Sequence, residues 1–135
     1  MRIVLDTNVL VSGLLVPGGT TGRVVSAWRA GRFDLLLSVP QLGEIARVLT
    51  YPKIRRVLRW DDARIEVFVK QLYVRAEMVE VARLAIDVPG DPDDAPILAT
   101  LVAGRGDVLV TGDAHLLALR EAHPIETPVE FVRRL

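Results

Sequence analysis

Ile3-Val4-Leu5-Asp6 sets three consecutive aliphatic residues ahead of one carboxylate, and Val108-Leu109-Val110-Thr111-Gly112-Asp113 repeats the arrangement late in the chain. Short continuous apolar runs of this kind mark strands covered on both faces. Leu35-Leu36-Leu37 is a third such run, Met78 to Ala82 a weaker fourth, and Ile125 a candidate edge. Helical spacing fills the gaps. Leu42, Ile45, Ala46 and Leu49 keep one face, and Ile65, Phe68, Val69, Leu72 and Tyr73 keep another after an Asp61-Asp62 start. Leu98, Ala99 and Val102 form a third stripe, closed by Gly104 at a predicted helix end. Strands alternating with helices predict an α/β fold with a mostly parallel sheet sandwiched between helices.

The chain has 135 residues, 17 Lys+Arg against 17 Asp+Glu, and no cysteine. That length fits one domain, 1–135, burying roughly two thirds of its unfolded surface, and no repeat or linker divides it. Disulfide frameworks, thiolate metal sites and cysteine nucleophiles are excluded. Zero net charge argues against gripping nucleic acid by bulk positive charge. Asp6 arrives too early for a signal peptide's apolar core, and no uncharged run reaches the roughly 18 residues of a membrane span. The expectation is a soluble cytoplasmic protein with no membrane partner. Its mean hydropathy of +0.32 is high, as for a domain with an apolar face covered by another chain.

Pro17-Gly18-Gly19-Thr20-Thr21-Gly22-Arg23 resembles a phosphate loop at first sight. It lacks the P-loop lysine and follows a predicted helix, so it reads as a connection whose threonines suit capping. Arg105-Gly106-Asp107 reads as a turn, and His115 and His123, the only histidines, as surface or packing residues.

The informative residues are acids in awkward places. Asp6 and Asp113 both end apolar strands, where a buried charge costs several kcal/mol unless it is satisfied. In open α/β sheets the crevice beyond the carboxyl ends of the strands is the usual binding site. Asp87, Asp91, Asp93 and Asp94 crowd a stretch from Ile86 to Ile97 that has no basic residue. Pro96 belongs in a helix's first turn, which puts Asp93 or Asp94 at the N-cap. Glu44 lies off the Leu42/Ile45/Leu49 stripe and can face the crevice. Singly, Asp94 and Asp113 read as caps and Glu44 as a solvated side chain; together the four converge on one sheet edge. Clustered carboxylates raise one another's pKa unless a cation sits among them. Oxygen ligands without Cys or His suit Mg²⁺ or Mn²⁺, and such a pocket suits phosphoryl chemistry.

With those residues in view, the sequence resembles the PIN-domain ribonucleases, and within them the VapC-like toxins of toxin–antitoxin pairs. The matching stretches are Ile3 to Leu10, Leu37-Ser38 with Leu42 to Ile45, Asp91 to Leu98, and Val110 to Leu116. The resemblance implies a three-layer α/β/α sandwich. It also implies a catalytic quartet of Asp6, Glu44, Asp94 and Asp113 around Mg²⁺ or Mn²⁺. Asp6, Asp94 and Asp113 would ligate the metal, and Glu44 would orient a water or help deprotonate it. Asn8, Ser38 and Thr111 match positions that brace such acids. Asp93 stands beside Asp94 and remains open as the third acid. The implied activity is metal-dependent hydrolysis of RNA phosphodiesters, with a cognate antitoxin and a homodimer as partners.

Arg47, Lys53, Arg55, Arg56 and Arg59 form a local run without an acid, with Tyr51 inside it and Trp60 beside it. Basic residues interleaved with aromatics suit RNA, although a solvated face or an acidic partner would explain them equally. The Ile65 to Tyr73 helix is the candidate partner surface, or ordinary core. Two rivals stand: a non-catalytic PIN-like binding module, and a haloacid-dehalogenase-like phosphatase echoed by Asp6-Thr7-Asn8-Val9. The phosphatase wants a second acid where Asn8 stands.

Overall fold

A computed structural model describes residues 1–82, 86 and 88–135. Asp87, one of the crowded acids, lies outside the described residues. The elements run β1 (Arg2–Leu5), α1 (Thr7–Leu15), α2 (Thr20–Arg29), β2 (Asp34–Leu37), α3 (Val39–Leu49), α4 (Pro52–Leu58), α5 (Asp62–Arg75) and β3 (Glu77–Met78). A 3₁₀ turn, Pro92–Asp94, then leads into α6 (Ala95–Ala103), followed by β4 (Val108–Val110), α7 (Ala114–Leu117), β5 (Ile125–Glu126) and α8 (Pro128–Val132). The strands form one sheet in the order β3-β2-β1-β4-β5, every pair parallel.

The three continuous runs are strands because both sheet faces are covered. Ile3, Leu5, Leu35, Leu37, Val108 and Val110 point into one core with Val9, Leu10, Val24, Trp28, Ile45, Leu49, Phe68, Leu72 and Phe131. Their neighbours Val4, Leu36 and Leu109 point the other way, onto Ile97, Leu98, Leu101 and Leu116. Successive strand residues alternate faces, so an unbroken apolar run feeds two cores at once. The result is the expected three-layer α/β/α sandwich.

Some expectations shift. The weak fourth strand is Glu77–Met78, set by pairing with Leu36 and Leu37 rather than by its own hydropathy. The helix that Asp113 caps is short, Ala114–Leu117. On α5 the buried stripe is Ile65, Phe68 and Leu72, while Tyr73 stands 57% exposed. Gly19, not a threonine, caps α2, and Thr21 instead pairs its hydroxyl with Ser12 at 2.9 Å. Gly22 explains the glycine-rich connection: a Cβ there would meet the Pro17 carbonyl oxygen at 2.1 Å. No single helix is long and apolar enough to cross a membrane among the described residues.

At the amino edge of the sheet, Arg2 joins three segments. Its guanidinium donates to the Gly104 carbonyl at 2.6 Å and to Glu77 at 2.5 Å, while its N–H donates to the Asp107 carboxylate at 2.7 Å.

The α8 helix starts with a capping box in which Thr127 and Glu130 bond each other's backbone N–H groups. The Thr127 N–H, and then the Arg120 guanidinium, hold the Glu130 carboxyl down at about 2. A depressed folded pKa contributes stability above the ordinary value of 4.5 and loses it as pH falls toward about 2. Chemical denaturation should therefore show Glu130→Gln less stable than wild type at neutral pH, with the gap closing in acid. A gap independent of pH would remove the charge from the cap's contribution.

Candidate active site

The order β3-β2-β1-β4-β5 reverses between β1 and β4. The chain leaves β1 toward one side and later returns to its other side. The crevice beyond the carboxyl ends of strands at such a switch point is where α/β sheets place ligands. Asp6 leaves β1 there and Asp113 leaves β4.

Asp6 is 4% exposed, and its N–H still pairs with the Val110 carbonyl at 2.9 Å, continuing the β1–β4 ladder. The buried Thr111 hydroxyl donates to Asp6 Oδ2 at 2.7 Å and accepts the Asp113 N–H at 3.0 Å. Thr111 thus ties the two strand-end acids together. Burial pushes the Asp6 carboxyl up, Thr111 and the amides of Asn8 and Thr7 oppose it, and the Asp113 charge adds to the rise.

Asp94 closes the 3₁₀ turn at the N-cap of α6 but caps nothing with its side chain. Its Oδ2 is buried with no hydrogen-bond partner among the described residues. Burial, then a carboxyl–carboxyl hydrogen bond with Asp113, then the Asp6 charge, push it up to about 8. Asp113 moves down, chiefly because it accepts that bond from Asp94. Glu44, half-buried on α3, is raised by burial and then by Asp6. The Thr7 hydroxyl, fully buried and without a hydrogen bond of ordinary geometry, lies against Glu44 and opposes the shift, as does Arg47. The Asp6 charge thus reaches both Asp94 and Glu44, while Asp113 acts on Asp6 and Asp94.

Two openings flank them. A cleft of about 340 Å³ is lined by Asp6 and Asp113 with Asn8, Ser12 and Thr21. A groove of about 350 Å³ is lined by Glu44 and Asp93 with Arg47 and Tyr51. Asp93 is exposed in that groove, whereas Asp94 is the neighbour in contact with Asp113. Asn8 faces the first cleft, but Ser38 makes no hydrogen bond to an acid among the described residues. It caps α3, accepting the Gln41 N–H at 3.5 Å.

Two neighbours were not singled out from sequence. Gln41 is buried and donates through Nε2 to the Leu5 carbonyl at 2.6 Å, bracing the end of β1 one residue before Asp6. His115, exposed as expected, sets Nδ1 3.7 Å from Asp113 and joins Asp91 and Asp113 within 4.8 Å. Gly90, at φ +84°, lets the acidic loop approach its ring, where a Cβ would sit 2.7 Å away. The oxygen-rich donors and the unpartnered Asp94 oxygen fit a hard divalent cation.

The basic run divides. Arg47 and Tyr51 face the groove, while Arg55 pairs with Asp62. Arg59 ends α4 in the left-handed conformation, and Lys53 and Arg56 are exposed. Trp60 contacts Phe68, 5.3 Å away, and the Arg64 guanidinium, 4.4 Å from its ring.

A family model described as PIN domain matches residues 2–115. The chain belongs to the PIN domain family. Over 142 aligned residues it is 22% identical to the uncharacterized protein MJ1680 of Methanocaldococcus jannaschii, covering 98% of this chain and 90% of that one. A chain in the crystal structure of VapBC2 from Rickettsia felis, bound to a DNA fragment from its promoter, shares the fold. That match has TM-score 0.61 and 14% identity, covering 94% of this chain and 98% of the other. PIN membership sets aside the haloacid-dehalogenase rival, whose second acid is absent at Asn8.

The raised Asp94 carboxyl makes the site a cost to folding. A carboxylate with elevated folded pKa contributes no penalty below 3.8 and the full penalty above about 8. In chelator, Asp94→Asn should raise the melting temperature by a few degrees at alkaline pH, of order 1 kcal/mol after solvent screening, with the gain fading in acid. Equal melting at both pH values would show that the acids do not strain the fold.

Proposed function

We propose that this PIN-domain protein is a Mg²⁺- or Mn²⁺-dependent endoribonuclease and the toxin of a toxin–antitoxin pair. The single observation that carries the proposal is the convergence of Asp6, Glu44, Asp94 and Asp113 at the β1/β4 switch point, with one Asp94 oxygen buried and unpartnered. Such a cluster is electrostatically unfavourable by itself and becomes favourable around a cation. Asp6, Asp94 and Asp113 would hold the ion. When bound, it supplies Lewis acidity to a phosphodiester oxygen and to a water nucleophile.

The chain's own groups do the rest. Thr111 fixes the Asp6 carboxylate by its hydrogen bond, and Gln41 fixes the backbone just before it. Glu44 orients the attacking water and accepts its proton on a carboxylate oxygen, a role that its raised pKa assists. The water oxygen bonds to phosphorus, the bond to the 3′ oxygen breaks, and that oxygen leaves with a proton. The products carry 5′-phosphate and 3′-hydroxyl ends. Lys53, Arg56 and Arg59, exposed on the segment that follows Tyr51, add positive charge that favours a polyanionic substrate. An antitoxin and a second copy of the chain are the proposed partners, in keeping with the high apolar content and the VapBC2 likeness in fold.

Asp6→Asn should abolish Mg²⁺-dependent cleavage of a labelled RNA, by about 100-fold or more. Circular dichroism should be unchanged, and EDTA should have the same effect on wild type. Undiminished cleavage by the variant would remove Asp6 from catalysis. RNA binding without cutting by wild type would favour the non-catalytic module.

A further inference from the structure

Within the basic run, Arg47 and Tyr51 are set apart because they line the groove beside Glu44. Arg55 is occupied by Asp62, and the Trp60 ring already contacts Arg64 and Phe68. Arg47 makes no ion pair and Tyr51 no aromatic or cation–π pair among the described residues. Tyr51 is 46% exposed, and Arg47 is exposed beside it.

Glu44, Arg47 and Tyr51 follow one another along a single helical face at i, i+3 and i+7. Tyr51 keeps that alignment just past α3 because its N–H still bonds the Val48 carbonyl at 3.1 Å. All three line the 350 Å³ groove, whose far wall is Asp93 and Pro96. A cation and an unstacked aromatic ring, one helical turn apart, next to the acids proposed to cut a phosphodiester, have a specific chemistry. The guanidinium suits a phosphate and the ring suits an unpaired base. A space of this size takes about one nucleotide.

We propose that this groove is a nucleotide subsite adjoining the cut. Tyr51 stacks on one base and Arg47 engages the phosphate next to it. The proposal rests on the endoribonuclease function above and assigns these two residues to substrate contact beside Glu44.

The test uses a fluorescein-labelled single-stranded oligoribonucleotide, measured by anisotropy in EDTA, and a series of the same oligomer with one abasic nucleotide moved along it. Tyr51→Ala should weaken binding of the intact oligomer about tenfold, and Tyr51→Phe should bind as wild type does. At one abasic position wild type should lose the same factor while Tyr51→Ala loses nothing. Arg47→Gln should lower the slope of log affinity against log salt by about 0.7, the value for one contact on a single strand. Identical abasic profiles for wild type and Tyr51→Ala would overturn the subsite. If Asp6→Asn still abolishes cleavage in that case, the nuclease function survives without it. Wild type that neither binds nor cuts the oligomer would sink both.

Discussion

The Thr111 hydroxyl lies between two carboxylates that would otherwise be separate features of two strands. It donates to Asp6 and accepts the backbone N–H that precedes the Asp113 side chain. This bridge exists because β1 and β4 pair in parallel and the ladder runs on to the Asp6 N–H. Parallel pairing is the underlying constraint: it brings the carboxyl ends of both strands to one rim, however far apart they lie in sequence. An antiparallel pair would have put the two acids at opposite ends of the sheet. Everything else at the rim is fitted to that pair, including Asp94 from the turn before α6 and Glu44 from α3.

Assembling four acids has an energetic consequence that the surrounding structure absorbs. Burial disfavours the charged form of Asp6, Glu44 and Asp94, and each adds to the difficulty of the next. The Asp94 and Asp113 carboxyls shift in opposite directions, Asp94 up and Asp113 down. The difficulty is offset by two apolar cores that grip both faces of the sheet and hold the rim in place. A chain with zero net charge thus contains a concentrated negative pocket beside a positively charged helix end. Overall neutrality conceals a local contrast.

How far the sequence discloses this depends on which physics dominates each segment. The strands β1, β2 and β4 are legible because full burial on two faces leaves an unbroken aliphatic record. The two-residue strands β3 and β5 are less so, since Glu77–Met78 owes its conformation to the partner strand rather than to its own side chains. After Asp113 the helix ends at Leu117, because beyond it the backbone bonds Leu119 to Leu116, Arg120 to Leu117 and Ala122 to Leu119 close tighter turns. Acids at the ends of apolar runs are conspicuous in sequence, so Asp6 and Asp113 could be singled out. Choosing Asp94 over Asp93, and finding Gln41, depends on side-chain direction, which spacing alone does not carry. Trp60 looked available for stacking in sequence, yet its ring already contacts Arg64 and Phe68.

The Arg2 contacts lend this architecture a further property. One guanidinium and one backbone N–H fasten β1 to Gly104, Glu77 and Asp107 at the rim opposite the acids. This clasp lies at one end of the sheet and the acidic cluster at the other. Substitutions around Asn8, Arg47 or Tyr51 leave the clasp that keeps the strands in register untouched, so the two ends of the sheet are separable.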